Sequence, residues 1–161
     1  MRYFPNQYQD YQIGSPFQID SQLWLTKAQE VAKLIFNHKK HAESNLDGGL
    51  YVGPSGIAYA LWKLSTFLEP SPDSKPILEF AQHLMKLNLQ YVQNPERQKD
   101  KKNKFGFLLG GSGVHAVGAA LSHSVGNQVD RDKNLEIFCE IASKNELTPT
   151  VVHRCGSDEL L

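Results

Sequence analysis

The chain has 161 residues, with 17 basic against 17 acidic side chains, so it carries no net charge and offers no electrostatic footprint for nucleic acid. Its 40% hydrophobic content suits one soluble globular domain with a real core. Lys, Gln and Ser interrupt every apolar stretch before the roughly 20 residues that a membrane-spanning helix needs.

The opening Met1-Arg2-Tyr3-Phe4-Pro5-Asn6 is too polar for a secretory signal. Residues 1–20 are rich in Tyr, Gln, Asn and Pro without an apolar period, and read as an arm pinned by Tyr3, Phe4, Tyr8 and Tyr11; residues 21–161 form the domain. Ser21 is the predicted cap of a first helix, whose stripe of Trp24, Ala28, Val31, Leu34 and Ile35 fades near His41. Asp47-Gly48-Gly49 breaks the chain. A second helix opens at Pro54, where a missing N–H costs nothing, and carries Ile57, Ala60, Leu61, Leu64 and Leu68.

Glu69 to Asp73 closes that helix, and a third begins at Ser74 or Lys75 with Leu78, Ala81, Leu84, Met85, Tyr91 and Val92 on its buried side. Asn94 to Lys104 is a charged, solvated loop, and Phe105 to Leu109 is the strongest strand candidate. A fourth helix starts near Gly110 with Val114, Val117, Ala120 and Leu121. A fifth follows Asp130 or Asp132 with Leu135, Ile137, Phe138 and Ile141. Helices joined by loops make the fold all-α.

One pattern recurs. Leu50-Tyr51-Val52-Gly53-Pro54-Ser55-Gly56-Ile57 and Phe107-Leu108-Leu109-Gly110-Gly111-Ser112-Gly113-Val114 share three bulky residues, then G-x-S-G, then a β-branched helix opener. Glycines at i and i+3 lie on one side of a starting helix, and their missing side chains admit another backbone closely. The cost is about 1 kcal/mol of helix propensity per glycine. Gly49, Gly53, Gly56, Gly110, Gly111 and Gly113 are therefore the structural glycines expected to matter.

The chemical constellations mostly resolve into plainer roles. Gly111 to Ala116 imitates a dinucleotide-binding turn, but no second strand ending in an acid follows it. Ser55 and Ser112 are not in G-x-S-x-G, so packing outweighs nucleophilic catalysis. His38 and His41 are flanked by Lys39 and Lys40, which would repel a metal cation, and His153 with Cys155 is too few ligands for a closed zinc site. Cys139 and Cys155 lack CxxC spacing and read as thiols of a reducing cytoplasm. His115 and His123 read as hydrogen-bonded core histidines. Asp158 and Glu159, just before a presumed third inner helix, are the candidate catalytic acids, with helix capping as their duller role.

Four segments in order resemble the LanC-like family, the eukaryotic relatives of bacterial lanthionine synthetase C. They are Phe4 to Tyr11 (F-P-N-x-Y-x-D-Y), Gly48 to Gly56, Phe107 to Ala116, and Cys155-Gly156-Ser157-Asp158-Glu159-Leu160. The last two are similar to the forms of the third-paralogue branch. The resemblance implies an α/α toroid of seven helix hairpins, of which this sequence is expected to cover the first two to three, ending before the third glycine motif. It also implies zinc-dependent addition of a thiol to dehydroamino acids, with glutathione or a modified peptide as partner of a complete protein. Zinc is held in that family by two cysteines and a histidine in later motifs absent here, so no cofactor and no metal ligand is assigned to this chain and it is expected to be inactive alone. The competing expectation is a non-catalytic scaffold binding glutathione or protein, cytoplasmic and peripherally associated with the plasma membrane.

Overall fold

The computed structural model describes residues 20–44, 46, 49–51, 53–94 and 106–145. Six helices run through them: α1 Ser21–Asn37, α2 Lys39–Ser44, α3 Pro54–Leu68, α4 Ser74–Val92, α5 Gly111–Ser124 and α6 Gln128–Asn145. The described residues contain no strand, and the predicted strand is instead a run of turns at Phe107–Leu109 whose three side chains are about half exposed. The arm expected over residues 1–20 lies outside the described residues except for Asp20.

Asp20, not Ser21, caps α1: its carboxylate accepts the Leu23 N–H at 2.9 Å. Both residue types cap well, and Asp20 sits one position earlier in non-helical backbone. Asp20→Ala should cost about 1 kcal/mol, read as a fall in the urea midpoint with an unchanged slope; Ser21→Ala should leave it unmoved. The helix breaks at His38, whose N–H reaches back to both Leu34 and Ile35 carbonyls, before α2 resumes.

Of the predicted stripe on α1, Ile35 alone is packed against the core. Trp24, Val31 and Leu34 are 65%, 55% and 59% exposed, and Ala28 is exposed with them. The packed side is Ala32 with Leu25, Ile35 and Phe36 partly covered. Phe36 meets Phe80 of α4 at 5.0 Å between ring centroids, and Lys39 lies over both rings, a cation–π arrangement that ties α1 and α2 to α4.

The core is made by α3, α4 and α5. Ala58, Leu61, Trp62 and Leu64 of α3 face Ile77, Phe80, Ala81, Leu84 and Met85 of α4, all at three- and four-residue steps. Val114, Val117 and Leu121 of α5 close the cluster. Ala60 and Ala120 point outward despite their predicted place on the stripes. Helix α6 packs on α5 and buries Asn134 and Ile141, and it starts earlier than predicted because Asn127 Oδ1 accepts the Asp130 N–H at 3.1 Å.

Candidate functional site

The two glycine motifs meet at one end of the molecule. Gly53 and Gly110 sit at the N-caps of α3 and α5 in extended backbone, with no side chain to accept an N-terminal N–H. The turns before them lie edge to edge: the Tyr51 N–H donates to the Leu108 carbonyl at 2.8 Å. A β-carbon on Gly49 would stand 2.9 Å from both the Leu108 oxygen and the Leu109 α-carbon.

Within each motif the same overlap recurs. A β-carbon on Gly56 would collide with the Leu50 carbonyl oxygen, and one on Gly113 with the Phe107 carbonyl oxygen. Gly56 and Gly113 hold the same motif position, as do Leu50 and Phe107, so each turn folds its first bulky residue back over the last glycine. The repeat read in the sequence is a repeat of geometry.

The two motif serines are buried but bonded differently. Ser112 donates its hydroxyl to the Gly106 carbonyl at 3.0 Å, clasping its own turn. Ser55 accepts the Asn88 amide N–H at 2.6 Å, tying the start of α3 to α4. Both hydroxyls fasten helix starts.

His115, on the first turns of α5, is 4% exposed and its Nδ1 lies 2.8 Å from Asn134 Oδ1. Because Asn134 Nδ2 donates to the Asp130 carbonyl, the Asn134 oxygen faces the ring and the Nδ1–H tautomer donates to it. Burial pushes the imidazole pKa below its ordinary 6.5; the bond to Asn134 opposes this and the nearby Lys133 charge adds to it. A histidine whose folded pKa lies below its unfolded value stabilises the neutral-pH fold, and that stability is lost as pH falls from 6.5 toward the folded pKa. Urea midpoints between neutral and mildly acidic pH should therefore fall more steeply for the natural protein than for His115→Gln; superimposable slopes would sink this assignment.

Other predicted positions are scattered. His123 is exposed at the end of α5, contrary to its expected core role, and His38, His41 and Cys139 are exposed on three different segments. Asp158, Glu159, His153 and Cys155 lie outside the described residues. Sequence reasoning passed over Asn88 and Asn134. Each is a polar residue on an otherwise apolar helical stripe, and that misfit was the available signal.

The family model described as lanthionine synthetase C-like protein matches residues 44–158, a span holding both glycine motifs. The chain belongs to the lanthionine synthetase C-like family. No solved structure matches it. Among the described residues of this LanC-like chain, no group of three or more His, Cys, Asp or Glu side chains converges to hold a metal ion. They do not fit the zinc that the resemblance implies, and none is assigned to it. No helix among them is long and apolar enough to cross a membrane.

Proposed function

We propose that this chain supplies the amino-terminal hairpins of a LanC-like toroid, close to the third-paralogue branch, and acts as scaffold for thiol addition whose zinc ligands it does not itself carry. The observation that supports this reading is the edge-to-edge contact of the two motif turns, Tyr51 N–H to Leu108 carbonyl. It sets successive glycine-opened helices side by side, as a ring of hairpins requires. Asp158 and Glu159 are the acids we place in the chemistry of the larger protein, as candidate proton-handling groups.

Metal analysis of the purified chain after dialysis against zinc should find well below one zinc per chain. Glutathione should add to a dehydroalanine-containing peptide at the uncatalysed rate in its presence. One tightly held zinc per chain, or a zinc-dependent rate acceleration, would falsify the proposal.

A second reading, a non-catalytic scaffold that binds glutathione or protein near a membrane surface, draws support from the exposed Trp24, Val31 and Leu34, which share one face of α1. Large apolar side chains grouped on a surface mark interaction faces. Saturable glutathione binding without turnover, or flotation with anionic vesicles, would favour it over the first.

A further inference from the structure

α4 and α6 both pack on α5 but leave a cleft between them over its C-terminal half. The cleft has a volume of about 510 Å³, within the range of ligand-binding pockets. Its floor is apolar, made by Met85, Leu89 and Leu121. Lys86 rises from the α4 wall and Lys133 from the α6 wall, and neither pairs with an acid among the described residues. The one carboxylate in the lining, Asp130, is already engaged by the Asn127 amide at 2.7 Å.

The back of the cleft is built rather than incidental. Asn134 lines it while only 4% exposed, and its amide nitrogen spends one hydrogen on the Asp130 carbonyl, leaving its second hydrogen without a partner among the described residues. Gly118 lies beneath the point where Asn134 and Leu89 converge, each about 3.3 Å from where its β-carbon would be. Amides at Gln90 and Gln93 edge the opening, and a side-chain amide offers both a donor and an acceptor to a peptide group.

We propose that this cleft binds an acidic peptide segment of a partner protein, a leucine-sized side chain seated on Met85, Leu89 and Leu121 with flanking carboxylates meeting Lys86 and Lys133. The stretch that follows Gln93 and Asn94 in the sequence does not suit the cleft by charge. Residues 95–105 carry Arg97, Lys99, Lys101, Lys102 and Lys104 against Glu96 and Asp100, and would bring like charge to the two lysines. Paired lysines on facing walls select a ligand by charge, and an apolar floor between them sets the spacing of its side chains.

The test is calorimetric titration of the purified chain with a blocked nonapeptide, Gly-Ser-Glu-Leu-Glu-Leu-Glu-Ser-Gly, beside the same peptide with lysine in place of glutamate. The acidic peptide should bind, shift the Asn134 side-chain amide and the Leu89 and Leu121 methyl signals in NMR spectra, and weaken as salt is raised. The double variant Lys86→Glu, Lys133→Glu changes only exposed positions, which circular dichroism will confirm, and should lower the affinity about tenfold or more. Equal binding of the basic peptide, an affinity unmoved by the double variant, or signals shifting elsewhere in the chain would each overturn the proposal. So would free glutamate moving the same signals as strongly as the peptide, since that outcome assigns the cleft to small carboxylates.

Discussion

Gly113→Ala is expected to destabilise the protein by about 1–2 kcal/mol, although alanine is the better helix former. The new methyl would occupy the position of the Phe107 carbonyl oxygen, and backbone cannot rotate aside as a flexible side chain can. Forcing an extra carbon into a filled site costs about 1–3 kcal/mol, against the roughly 1 kcal/mol that alanine gains over glycine in a helix. Gly56→Ala should behave alike, because its β-carbon meets the Leu50 carbonyl in the same way. Gly106→Ala is the control: its β-carbon would have only ordinary neighbours at 3.5 Å and beyond. Denaturant melts of the three variants should separate them, two falling well below the natural protein and one close to it. If Gly106→Ala falls as far as the others, loss of glycine itself is the cause and close approach is not.

The repeated G-x-S-G motif was legible in the sequence because the need for glycine there is local, and its recurrence after the same bulky triplet marked the repeat. The close approach falls on the second glycine of each motif, Gly56 and Gly113, and comes from the carbonyl six residues earlier in the same turn rather than from a neighbouring helix. The long helices were legible for a related reason: Leu61, Leu64 and Leu68 in α3, or Ala81, Leu84 and Met85 in α4, define one stripe without a rival. α1 has two. Trp24, Ala28, Val31, Leu34 and Ile35 satisfy the helical period as well as Leu25, Ala32 and Phe36 with the same Ile35 do, and only the neighbours settle which side is covered. Phe36 reaches Phe80 and leaves Trp24 facing outward. Phe107-Leu108-Leu109 misled differently, since three bulky residues favour strand locally while the turn is dictated by Gly106, Gly110 and the clasp from Ser112. Tertiary contact overrode propensity there.

The contact between Ser55 and Asn88 should show the opposite of additivity. Asn88 is fully buried, its amide N–H donates to Ser55 Oγ, and its Oδ1 has no partner among the described residues. Ser55→Ala alone strips the amide of its one acceptor and should cost about 1–3 kcal/mol, the desolvation penalty of an unmet buried polar group. Asn88→Leu alone replaces the amide with a side chain of similar size and leaves only a hydroxyl unpaired, one able to turn toward a helix carbonyl, so it should cost less. The double variant Ser55→Ala, Asn88→Leu removes both polar partners and the orphaned oxygen together, and should be more stable than Ser55→Ala by about 1 kcal/mol, on the order of the coupling seen for residues in contact. A double-mutant cycle from urea melts measures this coupling directly. Simple additivity would mean that the 2.6 Å contact contributes nothing to holding α3 on α4. A favourable double variant would instead show that the pair is kept for where it places the start of α3, beside the first glycine turn, rather than for the stability it adds.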